Sequence, residues 1–368
     1  MIISINNAVL ATQIFSAIFI VLLLLSIRRQ KSFAGLSVAL TQELKGFAIL
    51  AIVLSHIGYF LVSDHRFLFP LTIAAGLGVN LFLFLSGYGI ATSSISKPLS
   101  VWQFYRHRLL KIYTPFWLVV IVLFALDFLI GHKTYGLGYM LQSIIGFFPH
   151  ADLWTDLNSP LWYFTLIIFY YLLFPLVFFK KYPCFSAILL YLGGYLIVRA
   201  EPSILDYVIH LYRIHLFAFP LGVLAAGLVS KYPGSRAQAS FKKIQEKFVA
   251  NKLAARIIYY LVALILLGVF VYTSYYSNIG KAHWLEEVTS LVTAAAIVIL
   301  FLMKKFEIKL LYWFGFFSYE IYLFHWPIMA RFDIFYRFTP AWLATILYLG
   351  LFLALGWGMR QLLSKLKA

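Results

Sequence analysis

The chain has 368 residues, of which 63% are hydrophobic and 12% are charged. Soluble domains carry about twice that charged fraction, so this composition, with a mean hydropathy of +0.89, excludes a soluble enzyme and fits a polytopic membrane protein. A single cysteine, Cys184, excludes an intramolecular disulfide and a cysteine-based metal cluster. The net charge of +17 indicates no nucleic-acid partner, because the cations follow the predicted membrane topology.

Eleven apolar runs are each predicted to cross the membrane, which gives an all-α, polytopic transmembrane helical bundle. The first run has no cation before it and is followed by Arg28, Arg29 and Lys31. We therefore expect an uncleaved helix with its N-terminus outside, because a signal peptide carries its cations in front. The runs cover residues 8–27, 44–62, 70–95, 112–131, 160–179, 184–199, 207–229, 254–274, 284–303, 308–330 and 340–361.

The distribution of cations sets the predicted orientation in the cell (cytoplasmic) membrane. With the N-terminus outside, all but seven of the 30 Lys and Arg residues fall in cytoplasmic segments, which places the C-terminus in the cytoplasm. A long outer connection is predicted at 132–159. A long inner connection at 230–253 has the pattern of a basic amphipathic helix on anionic membrane lipid.

The stretch from Glu43 to His56 contains the first candidate site. In a helix, the step from Lys45 to His56 covers about three turns and roughly 16 Å, so both side chains share a face. With Lys45 at the membrane surface, His56 falls near the middle of a ~30 Å hydrocarbon layer, where an ionisable group indicates function. The alternatives are a neutral histidine bonded to a neighbouring helix and a lysine that only anchors the helix end.

Two further polar features lie in the next spans. The Gly-rich run at 76–88 favours close helix packing, but it also places Asn80 and Ser86 inside a span, where Asn80 needs a partner. Arg106, Arg108 and Lys111 lead into the following span on the cytoplasmic side. They are either topological charges or a site for a polyanion such as a phosphorylated donor.

The run Pro-Leu-Trp-Tyr-Phe begins a span at Pro160. Its Trp162 and Tyr163 are either interface anchors or a platform for a sugar ring.

The eleventh run combines several polar groups. Ser318, Tyr322 and His325 recur at helical spacing and share a face, with His325 nearer the outside. Glu320 is expected near the middle of the membrane, at a depth similar to that of His56, where a carboxylate is paired, protonated or functional. The histidines are too scattered along the chain to predict a metal site.

These five stretches together resemble acyltransferase family 3, a group of integral membrane acyltransferases. The family signature is an Arg, ten residues and then a His, and here Lys45 stands for the Arg while His56 matches. The resemblance covers roughly 40–365. It implies a ten-helix acyltransferase domain at 40–368, preceded by an extra transmembrane helix and a cytoplasmic basic linker at 1–39.

The resemblance implies transfer of an acyl group, usually acetyl, from cytoplasmic acyl-CoA to a hydroxyl of an extracytoplasmic polysaccharide or lipid-linked sugar, with no metal. His56 would be the catalytic base or proton shuttle. Arg106, Arg108 and Lys111 would hold the CoA phosphates. Lys45 and Lys111 depart from the arginines of the family, and lysine lacks the bidentate grip of arginine.

The remaining roles complete the predicted site. A hydroxyl nucleophile needs a base, and the developing oxyanion needs a donor, for which Asn80, Ser86 and Tyr322 are candidates. Glu320 is expected to orient His56, and both are placed with Lys45 in the catalytic group. The predicted substrate-binding residues are Asn80, Ser86, Trp162, Tyr163, Tyr322 and His325.

Two other functions remain open at this stage. A proton-coupled transporter or flippase of a glycan or lipid could use His56 and Glu320 as a proton relay. A membrane scaffold without catalysis is the third possibility, and the buried ionisable residues argue against it.

Overall fold

The computed structural model describes residues 2–29, 35–231, 253–277 and 283–365. This part of the chain folds into α-helices with one two-stranded sheet, which confirms the all-α prediction. The amphipathic helix predicted in the inner connection falls mostly on residues 232–252, outside the described residues. In chain order the elements are α1 (Ala8–Leu25), β1 (Ile27–Arg29), α2 (Val38–Ser55), α3 (Ala75–Ser96), α4 (Val101–Leu129), α5 (Leu137–Ile145), α6 (Trp162–Val177), α7 (Pro183–Ala200), α8 (Ile209–Arg213), α9 (Ala218–Lys231), α10 (Leu253–Tyr276), α11 (His283–Met303), β2 (Phe306–Ile308), α12 (Lys309–Phe316), α13 (Ser318–Ala330) and α14 (Ala341–Lys365).

Ten helical segments of the described chain are long and apolar enough to cross a membrane, which confirms a polytopic bundle. The predicted span at 308–330 differs, because it breaks at Phe317 into the eight residues of α12 and the thirteen of α13. The break follows a very close contact between α12 and α2. A Cβ on Gly315 would lie 1.7 Å from the carbonyl oxygen of Gln42, and a Cβ on Gly46 would lie 1.8 Å from that of Leu311. Only glycine permits this backbone contact.

The centre of the bundle consists of α2 and α3, and 72% of each span is buried by other parts of the protein. The corresponding share is 22% for α1 and 6% for α10, which therefore present apolar surface to lipid. The Gly-rich run of α3 packs closely, as its composition indicates. A Cβ on Gly87 would lie 2.3 Å from the carbonyl oxygen of Phe219 in α9.

The two ends of the bundle differ in charge. We call the end where α3, α6 and α14 finish and α4 begins the basic end, because most of the described Lys and Arg residues lie there. The other end is called the opposite end. At the basic end β1 pairs antiparallel with β2. Glu43 fixes β2 to α2 there, because it bonds to Lys304 at 2.9 Å and accepts a hydrogen bond from the backbone N–H of Ile308 at 2.8 Å.

The fourth helix begins earlier than the hydrophobic run that predicts it. Ser100 accepts a hydrogen bond from the N–H of Gln103, and the Gln103 side chain bonds back to Ser100, which is a capping box. The helix therefore starts at Val101, and Arg106, Arg108 and Lys111 lie on its first turns. Their helical spacing decides which of them point into the bundle.

Candidate active site

A cavity of about 600 Å³ opens among α2, α3, α4, α6, α13 and α14 toward the basic end. Four cations line it, namely Lys45, Arg108, Lys111 and Arg360, with Glu320 as the acid. Lys45 interacts electrostatically with the other three cations, so their positive charges are close enough to repel one another. The cavity is therefore a region of positive potential inside a mostly apolar bundle.

Two of these cations have no acidic partner. Among the described residues, no carboxylate pairs with Lys45 or Arg108. An unpaired cation that is partly removed from water is costly. An anionic ligand that enters the cavity would remove this cost, so the geometry favours an anion site.

The predicted basic cluster of α4 divides into cations that line the cavity and one that does not. Arg108 and Lys111 are three residues apart, share a face and line the cavity. Arg106 is two residues from Arg108, so it points elsewhere, and its side chain is exposed and does not line the cavity. The structure thus brings two of the three predicted donor-binding cations to one place.

The sequence predicts that Glu320 orients His56, but in the structure the two residues are not paired. Its Oε1 accepts a hydrogen bond from Arg360 Nε at 2.8 Å. Arg360 also donates to the carbonyl oxygen of Phe316, and its guanidinium lies 3.9 Å above the Phe316 ring. The chain break at Phe317 explains the difference, because it places Glu320 in the first turn of α13, close to the basic end. The sequence did not identify Arg360 as a site residue. The only signal was that Glu320, as a carboxylate inside the bundle, needs a cationic partner.

His56 instead pairs with His325, with 2.8 Å between His56 Nδ1 and His325 Nε2. The His325 Nδ1 lies 3.1 Å from the carbonyl oxygen of Ile321 and 3.0 Å from that of Tyr322. Carbonyl oxygens only accept hydrogen bonds, so the proton of a neutral His325 is on Nδ1 and its Nε2 accepts from His56. This assignment leaves Nε2 of a neutral His56 unprotonated and able to accept a proton.

The pair lies where the regular helix ends. After Ser55 the chain continues as one π-helical segment, His56–Leu61, and such segments are frequent at functional sites. The indole of Trp326 lies edge-on to the His56 ring, with 5.4 Å between the ring centroids. His325 is fully buried, whereas His56 is partly exposed.

Tyr322 connects the cavity with the histidine pair. It lines the cavity and lies one helical turn before His325, and its hydroxyl donates to the carbonyl oxygen of Pro160 at 2.8 Å. Ser86 and Tyr163 also line the cavity, and the Tyr163 ring contacts the Tyr322 ring with 5.5 Å between centroids. The structure therefore brings these three predicted residues together with Lys45.

Asn80 and Trp162 belong to a separate buried network. The Asn80 amide donates to Ser290 at 2.7 Å, and its oxygen accepts from Nδ1 of His215 at 2.8 Å. The Trp162 ring stacks on His215, with 5.9 Å between centroids. Neither Asn80 nor Trp162 lines the cavity. Sequence analysis missed His215 and Ser290, although Asn80 predicted that some partner exists.

The connection at 132–159 packs onto α13 at the opposite end. Trp326 donates to the carbonyl oxygen of Leu153 at 3.0 Å, and Asn158 donates to that of Leu323 at 2.6 Å. The Asp152 carboxyl accepts hydrogen bonds from Thr155 and Trp154, and these bonds lower its pKa. Burial raises the pKa of the Asp156 carboxyl. The connection is thus hydrogen-bonded to α13 on the side of the histidine pair where Trp326 lies.

No three His, Cys, Asp or Glu side chains in the described ranges come together in an arrangement that could hold a metal ion. The chemistry of the site is that of cations, hydroxyls and one histidine pair. Such a set can bind an anionic ligand and accept a proton from a nucleophile.

A comparison with known families matches residues 44–360 to the acyltransferase family 3 model, described as an acyltransferase domain. The match begins one residue before Lys45 and ends at Arg360, so it includes the four cations of the cavity and both histidines of the pair. The helix α1 lies outside the match. No curated protein and no solved structure matches the chain.

Proposed function

The chain belongs to acyltransferase family 3, and we propose that it is an O-acyltransferase of the O-acetyltransferase type in the cell membrane. The donor is a cytoplasmic acyl-CoA, most simply acetyl-CoA, and the acceptor is a hydroxyl of an extracytoplasmic polysaccharide or lipid-linked sugar. Residues 40–368 are the acyltransferase domain, and 1–39 add a helix and linker. One observation carries the proposal, namely that a cavity with cations that lack a carboxylate partner among the described residues is also lined by Tyr322, one helical turn before His325 of the histidine pair.

The donor half of the proposal rests on charge. Coenzyme A carries several phosphate charges, and Arg108 and Lys45 are cations without a carboxylate partner among the described residues. Arg360 is held in place by Glu320 and by the ring of Phe316, so its guanidinium is pre-oriented. The volume of about 600 Å³ lies within the usual range for ligand pockets. The acyl end of the donor would then point toward Ser86 and Tyr322.

The chemical step uses the unprotonated Nε2 of His56. The acceptor hydroxyl gives its proton to this nitrogen as its oxygen bonds to the thioester carbonyl carbon. The tetrahedral intermediate then collapses, the C–S bond breaks, and the CoA thiolate takes the proton from Nε2 of His56, which returns the base to its neutral form. His325 acts as a positioning residue, because its Nε2 accepts from Nδ1 of His56 and so fixes the tautomer.

The oxyanion of the intermediate needs a hydrogen-bond donor in the cavity. Ser86 lines the cavity and is the better candidate, because the Tyr322 hydroxyl already donates to Pro160. The amide of Asn80 donates to Ser290 and lies outside the cavity. Ser86 is therefore the first choice among the three candidates for this role.

Donor binding tests the proposal directly. Acetyl-CoA should raise the melting temperature of the purified protein, because a ligand that binds only the folded state stabilises it. The Arg108→Ala variant should lose most of this shift, since it removes an unpaired cation from the cavity. A matched control is Lys97→Ala, which removes an exposed cation at the same end of the bundle. Equal shifts in both variants would refute the donor site.

The break at Phe317 keeps a proton-coupled transporter or flippase as the second candidate, because transporters use broken helices at their binding sites. In transporters such breaks occur in matched halves of the chain. A transporter would also show no stabilisation by acetyl-CoA, so the same measurement separates the two functions.

A further inference from the structure

The loop between the His56 helix and α3 forms a second concave surface, at the opposite end from the cation-lined cavity. This groove has a volume of about 700 Å³ and is lined by Ser63, Asp64, His65, Arg66 and Phe69. We propose that it binds a neutral sugar unit of the acceptor. The inference rests on the proposed function, and it assigns the acceptor to residues that are separate from the donor cavity.

A row of aromatic rings connects the groove with the histidine pair. The ring of Phe60 lies 5.9 Å from that of His56, Tyr59 lies 5.9 Å from Phe60, and His65 lies 5.5 Å from Tyr59. Tyr59 is 40% exposed. Ring contacts therefore run from His56 to His65 at the groove.

The wall on the other side of His56 is closed. Trp326 packs edge-on against both His56 and Phe60, and its indole donates to the carbonyl oxygen of Leu153. The outer connection at 132–159 is thus hydrogen-bonded to α13. Tyr163 and Trp162, the predicted sugar platform, are in the bundle interior. The groove at 63–69 is exposed and is linked to His56 through the rings of Phe60 and Tyr59.

The side chains of the groove suit an uncharged sugar. Arg66 bonds to Asp64 through Nε at 3.0 Å and through Nη2 at 2.7 Å, so the two charges neutralise each other. The same bonds lower the pKa of Asp64 to about 2, and the carboxylate stays ionised as an acceptor for sugar hydroxyls. The exposed rings of Tyr59 and Phe69 offer apolar faces for the C–H side of a sugar ring.

The N-terminal segment fixes the loop that carries the groove. The N–H of Ile3 donates to the carbonyl oxygen of Leu61 at 2.8 Å, and the N–H of Ser63 donates to that of Ile3 at 2.9 Å. The hydroxyl of Thr12 in α1 accepts from the N–H of Leu68 at 2.7 Å. Leu68 is buried and has a φ of 61°, a left-handed conformation that non-glycine residues rarely adopt.

This support makes the groove pre-organised. Its backbone is bonded to residues that precede the family match, while its side chains stay exposed. A rigid binding loop loses less conformational entropy when a ligand binds, which raises affinity. The helix α1 therefore acts on acceptor affinity through the loop, and Thr12 is a positioning residue for the groove.

Kinetics with the acceptor glycan test the inference. The variants Tyr59→Ala, His65→Ala and Thr12→Val should each raise the KM for acceptor, by about tenfold for Tyr59, and leave acetyl-CoA affinity and kcat at saturating acceptor near the wild-type values. Tyr207→Ala is the matched control, because Tyr207 is an exposed tyrosine at the same end, outside the groove. Unchanged KM values in the groove variants, with transfer still dependent on His56, would overturn the groove and leave the proposed function intact.

A binding measurement tests the groove even if the chain transfers no acetyl group. Saturation-transfer NMR would use the methyl glycosides of glucose, galactose and N-acetylglucosamine as probes of the solubilised protein. Signals that are lost in Tyr59→Ala and kept in Tyr207→Ala support the groove. No signal with wild-type protein, or equal signals in both variants, contradicts it.

Discussion

Two histidines inside the bundle have similar hydrogen bonds but different surroundings. His56 donates from Nδ1 to His325, and His215 donates from Nδ1 to Asn80, so each keeps an unprotonated Nε2. His215 is 1% exposed, and its Nε2 has no partner among the described residues. His56 is partly exposed, and its partner His325 lies one helical turn after Tyr322, which lines the cation-lined cavity. The full burial of His215 therefore fits a structural polar network, and partial exposure makes His56 the candidate for the reactive histidine.

The largest effect is expected at these two histidines. His56→Ala should lower acyl transfer by about 10²- to 10⁴-fold, because it removes the general base. His215→Ala should keep transfer and instead lower thermal stability, since Asn80 loses a hydrogen-bond partner at a cost of about 1–3 kcal/mol. Transfer assays and melting temperatures of both variants measure this contrast. If the His215 variant loses transfer while remaining folded and the His56 variant stays active, the assignment is reversed.

A change at His325 sharpens the same contrast. His325→Phe keeps a ring but removes the acceptor for His56 Nδ1–H, so it should lower kcat by about 10²-fold through loss of the fixed tautomer. His325→Asn, which keeps an acceptor oxygen, should restore part of the rate. Equal kcat values for Phe and Asn variants, together with an unchanged pH–rate profile, would show that His325 only fills space.

The basic cluster provides the next comparison, between two arginines of one helix. Arg108→Ala should weaken acetyl-CoA binding by about tenfold or more, because a cation bonded to a phosphate is removed. Arg106→Ala should weaken it far less, since Arg106 is exposed and does not line the cavity. Calorimetric titration of both variants gives the affinities. Equal losses would mean that the donor lies outside the cavity.

The smallest effect is expected at the ion pair beside the donor. Glu320→Gln removes the charge that holds Arg360 but keeps a hydrogen-bonding side chain, so acetyl-CoA affinity should change only about threefold. Glu320 makes no contact with His56, and kcat should stay within twofold of wild type. A large loss of kcat would restore the expectation that Glu320 orients the base.

The sequence was sufficient for some parts of the site and not for others. Helical periodicity is local, so the spacing of Lys45 and His56 predicts a shared face; the structure places Lys45 in the wall of the cavity and His56 directly after the end of α2. The partner of Glu320 could not be predicted, because the break at Phe317, beside the contact between α12 and α2, brings Glu320 to Arg360 and not to His56. The partners His215 and Ser290 of Asn80 are distant in sequence, so only the fold reveals them.

The same limit applies to the ends of elements. The hydrophobic run that predicts α4 begins at 112, whereas the capping box at Ser100 starts the helix at Val101. This earlier start decides that Arg108 enters the cavity and Arg106 does not. The apolar run of α1 predicts a span, yet its bonds through Ile3 and Thr12 to the loop after His56 depend on long-range contacts.

The position of bound coenzyme A tests the central claim most directly. A cryo-electron microscopy map of the protein with acetyl-CoA should show phosphates beside Arg108 and Lys45, and the thioester in the cavity near Tyr322. Phosphates elsewhere on the surface, or a thioester on the far side of Arg108 from the histidine pair, would contradict the account.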